Sequence, residues 1–212
     1  MKTIILASKS PRRIDILHKF TSNFQVIPAQ VDEKIHGLIK PQELVMAIAF
    51  KKANEVANRV KGQSGIVMGA DTIVYQNEII GKPNNRMEAF NILEKLSGKT
   101  HEVYTGFALI DLNQDFRLVD YEMTEVTFKS LTEKTIQHYL DTEEYFDKAG
   151  AYGIQGFGEL LIEKINGSYG NVMGLPISKI DSYLKSYFNI DLLTSERRHH
   201  GGPQIYNQNH SD

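Results

Sequence analysis

Apolar and polar positions along the chain switch repeatedly between a period of two and a period near 3.6, which predicts short strands interleaved with amphipathic helices. Residues 2–6 read as a buried strand, followed by the polar loop Ala7-Ser8-Lys9-Ser10. Ser10 stands at a helix N-cap position with Pro11 at the first helical residue, the arrangement that suits a helix start. Ile14, Leu17 and Phe20 supply the apolar face of that helix, which fades near Lys19. Residues 24–27 predict a second strand, and the polar stretch 31–40 reads as a loop carrying Asp32 and Glu33. Over 41–59 the positions Leu44, Val45, Ile48, Ala49 and Val56, continued by Val60, fall on one face of a longer helix.

The pattern then favours strands. Residues 64–70 form an aliphatic run that Asp71 is expected to end, and 73–75 with 78–80 resemble a hairpin turning at Gln76-Asn77. A helix over 85–96 leads to alternating strands at 102–111 and 116–128, then to a helix over 132–140 capped by Thr132. After a glycine-rich loop around 149–156, strands are expected at 159–165 and 171–175 before a last helix, 177–188. Strands and helices do not alternate steadily, so an α/β fold with a mixed sheet and flanking helices is expected rather than a parallel barrel or doubly wound sheet. Residues 1–193 read as one domain; 194–212 are polar, aperiodic and expected to be a disordered tail.

Composition narrows the function classes. The formal net charge is −2 and no basic run with interleaved aromatics occurs, which argues against nucleic acid as a partner. No apolar stretch approaches the roughly 20 residues of a membrane span or forms a signal peptide, so no membrane partner and a cytoplasmic location are expected. The absence of cysteine excludes disulfides, thiolate nucleophiles and cysteine zinc sites together. The seven histidines are scattered without metal-ligand spacing and are expected to be exposed or satisfied. Ser97-Gly98-Lys99-Thr100 mimics the end of a Walker loop, but the glycine that motif needs is Leu93.

The candidate chemistry lies elsewhere. Ser8, Ser10, Arg12 and Arg13 surround a helix start, where free backbone N–H groups and guanidiniums suit a polyphosphate; a capped surface helix with solvated arginines is the plain alternative. Lys52 projects into the apolar stripe of the long helix, so it must snorkel, lose its proton or meet an anion. Asp71, in Gly69-Ala70-Asp71-Thr72, is expected either to hold a divalent ion or accept a proton from water, or else to cap a turn. Lys82 lies in Gly81-Lys82-Pro83, and Gly150, Gly153 and Gly156 flank the lone amide Gln155 in a loop suited to backbone-built binding.

Taken in order, these segments resemble the Maf family of nucleotide pyrophosphatases, from Ile4-Ile5-Leu6-Ala7-Ser8 to Gly174-Leu175-Pro176. The resemblance implies two lobes around a central cleft, similar to the inosine-triphosphate pyrophosphatases. It implies cleavage of a nucleoside triphosphate between the α- and β-phosphates with a divalent metal, magnesium or manganese, by a monomer or homodimer. Asp71 matches the family's proton acceptor. Ser8, Arg12, Arg13, Lys52 and Lys82 match its phosphate contacts, and Glu33 its acidic position, so Asp71 and Glu33 are the expected metal ligands. Arg12, Thr72 and Gln155 match the dTTP/UTP-specific branch rather than the branch for 7-methyl-GTP. The resemblance also implies two alternatives: a nucleotide-binding regulator of cell division, and a house-cleaning enzyme for modified pyrimidine nucleotides. Departures are Glu144-Tyr145-Phe146-Asp147 at the entry to the glycine loop, the bulky Tyr104, and the long tail.

Overall fold

The computed structural model describes residues 2–33 and 39–194. The strands are β1 (Ile4–Leu6), β2 (Phe24–Val26), β3 (Ile66–Tyr75), β4 (Ile79–Ile80), β5 (Thr100–Asp111), β6 (Arg117–Phe128) and β7 (Ile162–Asn166). The helices are α1 (Pro11–His18), α2 (Pro41–Arg59), α3 (Arg86–Leu96), α4 (Glu133–Leu140), α5 (Tyr169–Met173) and α6 (Ile177–Phe188). The strands build one seven-stranded sheet in the order β2-β1-β3-β5-β6-β7, with β4 paired to β3 off that path. β1 is parallel to both its neighbours and every other pairing is antiparallel. The expected mixed α/β sheet with flanking helices is what forms.

Strand alternation divides the core. On one face, Met68 and Ala70 of β3 and Phe107 and Leu109 of β5 pack with Ile16 and Leu17 of α1 and Ile180, Leu184 and Phe188 of α6. Farther along that face, Val74 and Val103 join Ala89, Leu93 and Leu96 of α3 and Ile136 and Leu140 of α4. Between the two apolar clusters the same alternation places Thr72 opposite Thr105, a polar seam between two cores. The other face carries α2, whose Ala49, Ala53 and Val56 cover Val67, Ala108 and Ile110.

Two glycines set how closely α2 lies. A Cβ at Gly69 would fall 2.3 Å from the Ala49 carbonyl oxygen, and one at Gly106 would fall 2.4 Å from that of Val45. Only a bare backbone lets the helix rest on the strands there. The edge of β3 away from β5 is discontinuous. β1 covers Ile66–Met68 and β4 covers Val74 and Tyr75, while β5 pairs with the other edge throughout. Residues 69–73 therefore border a gap in the sheet.

Several expected elements are corrected. Asp71 does not end its strand: β3 runs on to Tyr75 because cross-strand pairing with β5 is unbroken from Ile66 to Tyr75. Residues 171–175 form no strand. Ser168 Oγ accepts from the Asn171 amide at 3.2 Å, which starts α5, and Gly174 at φ 102° ends it. Residues 159–161 belong to a 3₁₀ turn, Gly156–Leu161, and the strand begins only at Ile162. Ser10 makes no side-chain cap; its amide donates to Ser8 Oγ at 3.2 Å instead. Asn85 and Thr132 do cap α3 and α4, accepting from the Glu88 and Thr135 amides at 2.9 and 3.1 Å. The proposed tail lies, except for Thr194, outside the described residues.

Candidate active site

The close seating of α2 delivers Lys52 to the strand. Its Nζ lies 2.8 Å from Asp71 Oδ1 and 2.9 Å from Glu33 Oε1. The Lys52 and Asp71 residues are each 7% exposed, so this lysine does not snorkel. The segment that carries Glu33 is tied to the outer side of α2. Lys51 Nζ donates to the Asp32 carbonyl at 2.6 Å, Glu55 accepts from the Gln30 amide at 3.1 Å, and Arg59 donates to the Pro28 carbonyl at 2.7 Å. Burial raises the Glu33 pKa, but Lys52, then Lys82 and Arg13, outweigh it and hold the carboxyl below its ordinary value.

Arg13 approaches from the other face. Its Nε donates to the Gly174 carbonyl at 2.8 Å, Nη2 to Thr72 Oγ1 at 3.0 Å and Nη1 to Ser8 Oγ at 3.3 Å. Burial lowers the Arg13 pKa, opposed by the charges of Asp71 and Glu33 and reinforced by that of Arg12. Gly174 is needed at this contact: its φ of 102° disfavours a side chain, and a Cβ would stand 3.2 Å from Thr72 Oγ1. Asp71 and Thr72 are consecutive strand residues, so their side chains leave opposite faces. Lys52 therefore meets β3 from one face and Arg13 from the other, at adjacent residues bordering the gap.

The structure thus brings together Ser8, Arg13, Glu33, Lys52, Asp71 and Thr72, with Lys82 exposed but within electrostatic range of Glu33. Asp71 inside an unbroken strand cannot be a turn cap, which removes that alternative. Arg12, on α1 beside Arg13, is within electrostatic range of both Arg13 and the Asp147 segment. Burial lowers its pKa while Asp147 and Tyr139 raise it, and its charge in turn helps to lower that of Lys148. Gln155 is half-buried and opens the 3₁₀ turn Gly156–Leu161. The loop over 147–156, which holds Gln155, is strongly bent, with Asp147 and Ala151 at φ 58° and 59°, positions that cost a non-glycine residue about 1–2 kcal/mol. It is joined to the Lys82 segment by the Gly150 amide, which donates to the Gly81 carbonyl at 3.1 Å. The divergent entry to this loop is built in: Glu144 accepts the amides of Phe157 and Gly158 at 3.2 and 3.4 Å.

The sequence matches the family described as Maf-like protein over residues 3–187. The chain belongs to the Maf family. A dTTP/UTP pyrophosphatase of Alkaliphilus oremlandii is 46% identical over 193 residues, covering 91% of this chain and 100% of that protein. The dTTP/UTP pyrophosphatase of Clostridioides difficile is 48% identical over 190 residues, 89% and 97% of the two chains. Among solved structures, a HAM1 protein from Coxiella burnetii aligns with 60% of this chain and 73% of its own at a TM-score of 0.42 and 18% identity.

The divalent metal that Maf resemblance implies meets a donor set of hard carboxylate oxygens. Asp71 and Glu33 converge on one ammonium, but no group of three or more His, Cys, Asp or Glu stands ready among the described residues. Two carboxylates fit magnesium or manganese shared with substrate phosphates rather than an ion held by protein alone.

Three contributors escaped the sequence reading: Thr105, 2.9 Å from Thr72 Oγ1, the Asn171 carbonyl that accepts from Thr105 at 2.9 Å, and the Gly174 carbonyl that holds Arg13. The signal for Thr105 was present, since it interrupts the inward series Val103, Phe107, Leu109 with a hydroxyl. The others follow from tertiary contacts alone. One histidine departs from the expectation of exposed or satisfied side chains. His101 is 1% exposed, its Nε2 lies 2.7 Å from Tyr152 Oη, and its Nδ1 has no partner among the described residues.

Proposed function

We propose that this Maf-family chain is a nucleoside triphosphate pyrophosphatase that hydrolyses dTTP and UTP to the monophosphate and pyrophosphate. The observation that carries it is the convergence of two cations, the buried Lys52 and the half-buried Arg13, on the Asp71–Thr72 step at the gap beside β3. A triphosphate carries about four negative charges near neutral pH, and cations in a cleft of reduced dielectric attract it strongly. The near end-to-end identity to two dTTP/UTP pyrophosphatases supports the same reading.

In this mechanism Arg13, Lys52 and Lys82 hold phosphate oxygens and stabilise the charge that grows on pyrophosphate as it leaves. Asp71 accepts the proton of the water that breaks the α–β anhydride. Lys52 fixes that carboxylate and, with Asp71 and Glu33 taking two of its three hydrogens, still offers one to a phosphate. A divalent ion held by Asp71 and Glu33 would neutralise phosphate charge. Gln155, half-buried at the start of the 3₁₀ turn Gly156–Leu161, would read the base through its paired donor and acceptor. Ser8 and Ser10 would supply hydrogen bonds to phosphate from the α1 start. The protein would act in the cytoplasm on free nucleotide, as a monomer or homodimer, with neither nucleic acid nor membrane as partner; among the described residues no helix is long and apolar enough to cross one.

Product analysis decides the bond. Purified protein with magnesium or manganese is expected to release UMP and pyrophosphate from UTP. Orthophosphate and UDP as first products would refute the proposal.

A further inference from the structure

The polar seam between the two cores fixes the direction of a hydroxyl. Thr105 is fully buried, and its Oγ1 lies 2.9 Å from Thr72 Oγ1 and 2.9 Å from the Asn171 carbonyl oxygen. A carbonyl only accepts, so the single Thr105 proton goes to Asn171. The proton in the Thr72–Thr105 contact must then come from Thr72. Arg13 has donors only, and it gives Thr72 Oγ1 a further hydrogen at 3.0 Å. The Thr72 hydroxyl has therefore spent its proton and one lone pair. One lone pair remains, on a half-buried side chain at the open edge of β3.

We infer that Thr105 is a positioning residue that locks Thr72 as an acceptor toward the substrate, so the cleft selects a base presenting an N–H at that point over one presenting a lone pair. Uracil and thymine carry N3–H, whereas N3 of cytosine is an acceptor. The inference deepens the pyrimidine reading above and rests on it. An unrestrained threonine hydroxyl would rotate and serve either base. Here the relay from Arg13 through Thr72 and Thr105 to Asn171 forbids rotation. Its far end is firm, because Asn171 Nδ2 donates to the Val103 carbonyl at 3.0 Å and to Thr124 Oγ1 at 2.9 Å. The Asn171 carbonyl also accepts the Gly174 amide at 2.9 Å, so it keeps a partner if Thr105 is changed. Cytosine would set two acceptors face to face, the kind of mismatch that costs a buried site up to about 10⁴-fold.

The test is pyrophosphate release from UTP, dTTP, CTP and N3-methyl-UTP by the unaltered protein, Thr105→Val and Thr105→Ser. Valine keeps the shape of threonine but cannot accept the Thr72 proton, which becomes free to donate. Thr105→Val is expected to lower the UTP/CTP ratio of kcat/KM about tenfold or more, and Thr105→Ser to retain it. The unaltered protein is expected to hydrolyse N3-methyl-UTP at least about tenfold more slowly than UTP. A Thr105→Val protein that hydrolyses UTP with an unchanged UTP/CTP ratio overturns the inference. If that variant does not fold, equal rates of the unaltered protein on UTP and N3-methyl-UTP overturn it. No pyrophosphate from any nucleotide is a separate result, which sinks the proposed function itself.

Discussion

Lys52 Nζ and Asp71 Oδ1 lie 2.8 Å apart beneath α2, with both side chains at most a tenth exposed. Glu33 completes the group from the exposed side, where its own side chain is 53% accessible. Burying this pair costs desolvation that the pairing must offset, and such pairs are weak sources of stability. Their position at the sheet gap, beside Arg13, accounts for them better as parts of a phosphate site.

Lys52→Met is expected to leave Asp71 buried beside Arg13 alone and to lower kcat/KM for UTP by about two orders of magnitude or more, the scale of a lost electrostatic contact in a transition state. Steady-state pyrophosphate release measures it. Turnover within a factor of a few of the unaltered protein would show that Lys52 only neutralises Asp71.

Asp71→Asn removes the proposed proton acceptor while keeping its shape. Turnover is expected to fall by about two to four orders of magnitude, the usual contribution of general acid–base catalysis. Circular dichroism should show the fold retained. A folded variant with near-normal turnover would end the assignment of Asp71 as the base.

Gly69→Ala tests the seating of α2. Its Cβ would meet the Ala49 carbonyl at 2.3 Å and the Ala53 amide nitrogen at 2.9 Å, so the helix backbone must move. Overpacking of this kind costs about 1–3 kcal/mol, and turnover should fall too, because displaced Lys52 loses its distance to Asp71. A thermal melt and a UTP assay on one sample check both. Lower stability with intact activity would show that the site tolerates a shifted α2.

His101 predicts a pH dependence of stability. Burial holds its pKa down to about 4, against about 6.5 for an unfolded chain. As pH falls the unfolded state therefore takes up the proton first. The stabilisation is complete above about pH 6.5, declines as pH falls toward about 4, and amounts to at most about 3 kcal/mol. His101→Phe is expected to reduce the fall in Tm between pH 7.5 and 4.5. An unchanged fall would assign the acid sensitivity to other groups.

Local sequence was enough for the parts of the molecule that depend on near neighbours. Periodicity placed α2 and α6 at their observed bounds, and it set Lys52 within a buried stripe. Pro11 and Thr132 marked helix starts because such start signals act within three or four residues. Ordered motifs named Arg13, Glu33 and Asp71 as one set without showing how they meet.

Tertiary structure decided the rest. Asp71 reads as a strand end, since a lone carboxylate interrupts an aliphatic run, yet β5 pairs past it to Tyr75. Its access to a cleft comes instead from the other edge of β3, which β1 pairs only as far as Met68 and β4 only from Val74 onward. The apolar run near Val172 gave no hint of α5, whose start depends on Ser168 and whose end depends on Gly174. The relay from Arg13 to Asn171 joins residues up to 158 positions apart in sequence, between α1 and α5. Hydrogen-bond direction along such a chain depends on every partner at once, so no single segment of sequence could specify it.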